Sequence, residues 1–275
     1  MIDAKLQAKL REKFNPDGSE LRNLQLRMLE MLKYIDKICQ DNDITYWLSS
    51  GTCLGAVRHG GFIPWDDDVD IEMLEPDYKK LCSILRNKTD SPYVLQDYNS
   101  DKEYVQPFAK LREKGSVVQE DNDFYKWAKY QGIYIDIFCI GPSSSKFVWK
   151  VCASLWGRSI WKCPGIKNRW LRRGILALFY FVYKQLLFPP IIYITKLKKY
   201  GIYRHCLGVR FPKERFEEDV KEIKYINFED TILPIPMGYD HYLTHLYGDY
   251  MNIPDTEQLH SHFINYKINV NEAKN

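Results

Sequence analysis

Four aspartates fall within five consecutive positions of the stretch PWDDDVDIEM: Asp66, Asp67, Asp68 and Asp70. In an extended chain, side chains two apart share a face, which predicts Asp66, Asp68 and Asp70 together on one side of a strand. The same parity turns Asp67 away and makes it dispensable. Like charges at that spacing repel, and either solvation or a bound divalent cation relieves them; hard carboxylate oxygens suit Mg²⁺, and also Mn²⁺. Upstream, Gly51-Thr52 is expected at a strand-to-helix junction, where backbone N–H groups and a hydroxyl can hold a phosphate. Downstream, Asp136 stands alone among Ile133, Ile135, Ile137 and Phe138. An acid in so apolar a strand needs a partner or a metal, and as a neighbour of the aspartate strand it would add a further carboxylate. A phosphate cradle beside a carboxylate metal site is what phosphoryl-type transfer requires, because its charge is met by cations and positioned donors.

The elements that must position these groups are legible in the surrounding pattern. Ser19 is a plausible N-cap for a helix over 19–42, with Leu21, Leu24, Met28, Leu32, Ile35 and Cys39 at three- and four-residue steps. ITYWL, rich in β-branched and aromatic residues, predicts a strand over 44–48, and a short helix is expected over 54–59, ended by Gly60-Gly61. DVDIEM alternates like a half-buried strand, and Glu75-Pro76-Asp77 opens a helix to about residue 87. YVLQD, FAKLRE, SVVQE and GIYIDIF add strands of a mixed or antiparallel sheet, and a last helix is expected over 239–246. Helices and strands in this order give an α+β class.

The formal net charge of +3 conceals a division along the chain. Residues 143–213 contain fifteen Lys and Arg and no Asp or Glu, which leaves 24 basic and 36 acidic residues elsewhere. The expected organisation is therefore a catalytic core over 1–142, a basic, aromatic-rich helical insertion over 143–213, and a C-terminal part over 214–275 that completes the core. In the insertion, Trp149, Trp156, Trp161 and Trp170 alternate with Lys150, Arg158, Lys162, Lys167, Arg169, Arg172 and Arg173. That mixture suits helices lying in the headgroup zone of an anionic membrane, or a helical subdomain whose apolar residues pack on the core. The apolar run over 174–194 is span-length, but Lys184, Gln185 and Pro189-Pro190 interrupt it. No recognised nucleic-acid module accompanies the basic residues, so nucleic acid is not an expected partner. Seven cysteines without CxxC spacing argue against a disulfide framework, and a charged N-terminus without an apolar core argues against secretion. The expected location is cytoplasmic, peripheral at the inner face of the membrane.

Four separated segments, YWLSSGTCLGAVRHGGFIPWDDDVDIEM, PFAKLREKGSV, GIYIDIF and LPIPMGYDHYLTHLYGDYMNIP, resemble in order the motifs of the LicD family. These are phosphocholine transferases whose relatives include fukutin and fukutin-related protein. The resemblance implies a nucleotidyltransferase-like mixed β-sheet with flanking helices. It implies a Mg²⁺-dependent site that moves a phospho-substituent from a CDP-linked donor such as CDP-choline to a sugar hydroxyl of a glycan or its lipid-linked precursor, with CMP leaving. Carried over by position, Asp68 and Asp70 are the metal-binding pair, and Asp136 is a further ligand or the base for the acceptor hydroxyl. Asp66 joins the metal set, and Gly51 and Thr52 hold donor phosphate. Arg58, Lys110 and Arg112 are candidates for neutralising the pyrophosphate, and Tyr247 and Asp249, in GDY and its flank, for substrate contact. Readings left open are phosphoribitol or phosphoglycerol transfer, nucleotidyl transfer, and a non-catalytic membrane-associated binding protein.

A choline group would call for an aromatic cage, and Tyr46, Trp47, Trp65, Tyr98, Trp127 and Tyr134 lie near the motifs. His241, His245, His260 and His262 have helical or short spacing but no HExxH glutamate, so packing or substrate contact is expected of them rather than zinc.

Overall fold

The structure is a computed structural model that describes residues 2–118, 123–143, 145–197, 201–211 and 213–255. Two helices lead the chain, α1 (Ala4–Phe14) and α2 (Glu20–Asp41). Ser19 caps α2 by accepting the Arg22 N–H, and the expected stripe, with Leu24, Met28, Leu32, Ile35 and Cys39 all buried, packs into the main core. There follow β1 (Trp47–Leu48), α3 (Ser50–His59), β2 (Asp70–Leu74), α4 (Glu75–Asn87), β3 (Tyr93–Gln96), β4 (Ala109–Glu113) and β5 (Tyr134–Pro142). Next come α5 (Lys146–Ser159), a 3₁₀ turn, α6 (Arg169–Phe181), a π-helical turn (Val182–Leu187) and α7 (Phe188–Leu197). The described chain closes with β6 (Ile202–His205), β7 (Arg215–Phe216), α8 (Glu217–Val220), β8 (Ile223–Phe228), β9 (Thr231–Pro236) and α9 (Tyr239–Tyr247).

Seven strands form one mixed sheet in which β1, β2, β5, β4 and β3 lie side by side. β2 and β5 run parallel with Asp70 opposite Asp136, whereas β4 pairs antiparallel to β5 with Lys110 opposite Asp136. The class is α+β, as the order of elements predicts. β8 and β9 make a separate hairpin.

Several local expectations are corrected. The strand over 44–48 contracts to Trp47–Leu48, and α3 begins four residues early, which places Gly51 and Thr52 in its first turn rather than ahead of it. Residues 66–69 are irregular and β2 starts only at Asp70, because the chain is still emerging from a turn in which Asp66 N–H donates to Ile63 O. Strand parity therefore does not govern Asp66 to Asp68. Of the predicted strand SVVQE, residues 116–118 take no regular structure and residues 119–120 lie outside the described residues. Within 143–213 the helices end at Leu197, and β6 returns to the main sheet by pairing with the far end of β5.

Helices α5 to α7 have a core of their own. Cys152, Trp156, Ile160, Leu176, Tyr180, Tyr183 and Phe188 bury against Val105. Polar ties fasten this unit to the 103–107 segment: Trp156 Nε1 donates to Val105 O (2.9 Å), Tyr180 Oη to Tyr104 O (3.0 Å), and the buried Arg172–Glu103 pair closes at 2.6 Å.

Candidate active site

The acidic cluster is built from two differently supported parts. Asp70 and Asp136 sit on adjacent parallel strands in direct register, so their separation is set by the β-ladder, about 4.8 Å between backbones. The Asp136 N–H donates to Val69 O at 2.9 Å, which extends the pairing to the edge of the loop. Asp66, Asp67 and Asp68 lie on that loop, and one carboxylate oxygen from each falls within 4.8 Å of the others. Gln25, fully buried on α2, holds the loop by donating from Nε2 to Asp66 O (2.8 Å) and Ile63 O (3.3 Å), and is itself fixed by Asn15 (2.6 Å).

The N-terminus of α3 abuts the same cluster. Thr52 Oγ1 accepts the Asp70 N–H at 2.9 Å, and Ser49 N–H donates to Asp70 O at 3.0 Å, so the first turn of α3 and the start of β2 are stitched together. A Cβ added to Gly51 would stand 3.1 Å from Asp66 Oδ2, which shows how closely this turn approaches the acids. The positive end of the helix faces negative charge, a favourable placement.

Burial and mutual repulsion govern the charge of these carboxylates. Burial, then the charge of Asp68, raises the proton affinity of Asp66 well above the carboxylate range. Asp70 is raised likewise by burial, then by Asp68, Asp136 and Asp66, with Lys110 the opposing influence. Clustered oxygens that resist ionisation together are a donor set that a hard divalent cation fits, since its charge removes the repulsion. The close group consists of Asp66, Asp67 and Asp68, with Asp70 and Asp136 beside it. Asp67, expected to turn away, is instead only 2% exposed and contributes an oxygen to the group.

The three predicted cations are engaged within the protein. Lys110 Nζ donates to Asp136 Oδ1 at 2.5 Å and lies 3.5 Å over the Tyr134 ring. Arg58, 3% exposed, donates to Tyr250 O (2.8 Å), Asn252 O (3.0 Å) and His59 Nε2 (2.9 Å); burial lowers its pKa and Asp66 opposes that shift. Arg112 is wholly enclosed, with Nε on Gln96 Oε1 (2.7 Å) and Nη1 on Gly132 O (2.8 Å), which locks β4 to its neighbours rather than presenting charge to a ligand. Tyr247 is half-exposed, and burial followed by the charges of Tyr242, Asp70 and Asp66 raises its hydroxyl pKa, placing it on the side of the acids. Asp249 is exposed after α9 and accepts a hydrogen bond from Asn252.

Of the six cage candidates, Tyr46 and Trp47 are buried in the core, Tyr98 stacks on Tyr180, and Trp127 lies against Arg172. Trp65 and Tyr134 remain next to site residues. His241 pairs with Asp219 at 2.8 Å, and both His241 and His245 pack on Phe216; His260 and His262 lie outside the described residues.

A network that sequence reasoning missed supports the site from below. Glu72, two residues beyond Asp70 and on the same face of β2, is fully buried. It accepts from Arg215 through both Nη2 and Nε (the latter at 3.2 Å), from His205 Nε2 (2.7 Å), and from Trp47 Nε1 (3.2 Å). Tyr242 Oη reaches the same carboxylate at 3.4 Å and accepts the Ser50 N–H at 3.1 Å, so α9, β6 and β7 are all fastened to β2, which carries Asp70, and α9 also to the start of α3. The one available signal was an acid at a strand position flanked by Ile71 and Met73.

Comparison with known proteins agrees with this construction. Residues 43–164 match the profile described as the LicD/FKTN/FKRP nucleotidyltransferase domain, an interval that contains every carboxylate of the cluster. The chain is 28% identical over 267 residues to the lipopolysaccharide cholinephosphotransferase LicD of Haemophilus influenzae, covering 89% of this chain and 96% of that protein. Shorter matches reach 45% identity over 53 residues of mouse ribitol-5-phosphate transferase FKTN and 45% over 57 residues of human ribitol 5-phosphate transferase FKRP. They cover 19% and 21% of this chain, and 12% and 11% of those proteins. Residues 43–164 are thus similar to a LicD/FKTN/FKRP nucleotidyltransferase domain, and the chain as a whole is similar to a LicD protein.

Proposed function

We propose that this protein is a LicD-type phosphotransferase with a nucleotidyltransferase-like fold that transfers phosphocholine from CDP-choline to a sugar hydroxyl of a surface glycan or its lipid-linked precursor. The observation that carries the reading is the convergence of five carboxylates at the N-terminus of α3, three of them with oxygens within 4.8 Å of one another. Asp66, Asp67 and Asp68, with Asp70 and Asp136 alongside, are the residues to hold Mg²⁺ or Mn²⁺. When bound, the cation supplies positive charge to the donor pyrophosphate and to the oxygens of the reacting phosphorus.

The chain's own residues do the rest. The amide groups of Gly51 and Thr52, in the first turn of α3, orient a donor phosphate at the positive helix end. The acceptor hydroxyl attacks the phosphorus distal to cytidine, the P–O bond to CMP breaks with its electron pair, and the hydroxyl proton passes to Asp136. Lys110, bonded to Asp136, fixes that carboxylate's orientation. Lys110, Arg58 and Arg112 are all engaged internally, so their part is to hold the site's framework, and a cation held by the carboxylates would supply the charge that meets the donor. Cys39, Cys53, Cys82, Cys139, Cys152, Cys163 and Cys206 are unpaired, which supports a reducing, cytoplasmic setting.

Phosphoribitol or phosphoglycerol transfer is the second reading, favoured by the higher local identity to the ribitol-phosphate transferases. The full-length match to the Haemophilus protein supports choline. One assay separates them: release of CMP from CDP-choline, CDP-ribitol and CDP-glycerol in the presence of a glycan acceptor and Mg²⁺, repeated with EDTA. Choline-dependent, EDTA-sensitive release is expected. Release only from a polyol donor would replace choline, and release from none would leave a binding protein.

A further inference from the structure

α6, the π turn and α7 form one continuous helix, Arg169–Leu197, whose 29 residues are long and apolar enough to cross a bilayer. Its packing excludes that use. Leu176, Tyr180, Tyr183 and Phe188 bury one side of its central part against α5 and Val105. Tyr180 bonds the backbone at Tyr104 and Gln106, and Arg172 is paired with the buried Glu103. A spanning helix would drag this ion pair, α5 and the irregular 103–107 segment into hydrocarbon, where their backbone groups could not be satisfied.

The opposite side is unpartnered and apolar. Trp170 (79% exposed), Leu178, Phe181 (54%), Leu186, Tyr193 and Ile194 line it from end to end. Together these exposed rings and branched chains make an apolar face on the scale of the largest patches of monomeric proteins, about 300–600 Å², which are often functional. α5 carries a second stripe at one-turn spacing, Phe147, Val151 and Leu155. The cation that interrupts the apolar run, Lys184, sits in the π turn and donates inward to Pro107 O (3.3 Å) beneath the rings of Trp156 and Phe188. Lys150, Arg158, Lys162, Lys167 and Arg169 are exposed and make no ion pair among the described residues. No acidic residue occurs between positions 143 and 213 to oppose them.

We propose that the 146–197 segment is an in-plane membrane anchor. The outer face of helix 169–197 enters the boundary between headgroups and acyl chains, and the flanking cations meet anionic phospholipid. Charge complementarity selects this occupant over a second copy of the chain, whose matching face would carry the same positive charge. The inference stands on the helix alone and does not depend on the transfer chemistry.

The test is co-sedimentation of the full chain with vesicles of phosphatidylcholine and of phosphatidylcholine with phosphatidylglycerol, at low and at about 0.5 M salt. Binding at least about tenfold tighter to the anionic vesicles, weakened by salt, is expected. The double variant Leu178→Glu/Phe181→Glu should lose about tenfold or more in affinity while keeping the wild-type melting temperature and donor turnover. The triple variant Lys162→Gln/Lys167→Gln/Arg169→Gln should lose only the anionic preference. Binding unchanged by the double variant, or absent at low salt, would overturn the proposal. So would a lipid-free dimer that the double variant dissolves without change in vesicle binding, which would assign the face to a second copy. Resistance of the bound protein to alkaline carbonate extraction would overturn the in-plane geometry in favour of a span.

Discussion

Replacing Arg215 by methionine tests the buried network beneath the acids. Glu72 has no solvent exposure and five polar contacts, of which Arg215 provides two and the only permanent positive charge. Removing one partner of a fully buried ion pair leaves an uncompensated charge and costs about 3–5 kcal/mol. His205 modifies that figure. Its pKa is held below the ordinary 6.5 by burial first and Arg215 second, against the upward pull of Glu72. In Arg215→Met the second of these influences is gone and Glu72 remains, so the imidazole gains a proton more readily and restores the lost charge. Relative to wild type the folded-state pKa of His205 is then higher, so on acidification the variant takes up this proton before the wild-type protein does and loses less stability. The deficit should therefore be full at about pH 8 and shrink by about pH 6. Wild type should show the opposite acid limb, because the depressed Glu72 carboxyl contributes stability present above its ordinary 4.5 and lost as pH falls further. Urea unfolding followed by tryptophan fluorescence, with Trp47 bonded to Glu72, measures both. A deficit under about 1 kcal/mol at pH 8, or one larger at pH 6 than at pH 8, would refute the reasoning. Glu72→Gln/Arg215→Met should be less destabilised than Arg215→Met alone.

Asp70→Asn should lose about 100-fold or more in transfer while gaining thermal stability, since it removes a carboxylate that burial and its neighbours disfavour when ionised; paired kinetic and melting measurements check both signs. Asp67→Asn should impair transfer as severely as Asp68→Asn, and wild-type turnover would return Asp67 to the dispensable role that strand parity gave it. Gly51→Ala should keep or raise the melting temperature by the helix preference of alanine, up to about 1 kcal/mol. It should cut turnover about tenfold or more by displacing Asp66, 3.1 Å from the new methyl. His59, its pKa lowered to about 3 by burial and then by Arg58, should stay neutral on acidification in a proton NMR titration. Because the unfolded chain binds that proton first, stability should fall as pH drops from 6.5 towards 3.

Local chemistry was readable wherever it was carried by short-range pattern. Ser19 and the stripe from Leu24 to Cys39 located α2, Glu75-Pro76 located the start of α4, and Asp136 among isoleucines located a strand that does lie beside β2. Parity failed at Asp66 to Asp68 because a period of two holds only where strand geometry holds, and the turn after Pro64 delays that geometry to Asp70. Arg112 was misread because alternation places it on the same face as Lys110 without revealing that Gln96 and the Gly132 carbonyl enclose it. The Glu72 network was invisible for a different reason: its partners Arg215, His205 and Tyr242 lie 143, 133 and 170 residues away. Only the folded sheet brings such groups together.

The two supports of the acidic cluster differ in how they can be taken apart. Asp70 and Asp136 are bound into a five-pair ladder between central strands and can separate only if the sheet opens. Asp66 to Asp68 depend on an irregular turn whose backbone is held from α2 by the amide of Gln25. The loop can therefore detach in a local fluctuation that leaves every strand paired, and the site can be switched off far below the free energy of global unfolding. In amide hydrogen exchange this is a gradient along a few residues of chain, with slow exchange at Asp136 and fast exchange at Asp66. Inherited or engineered changes in α2, remote from any reacting atom, would act by setting how often the loop half of the acidic cluster is in place.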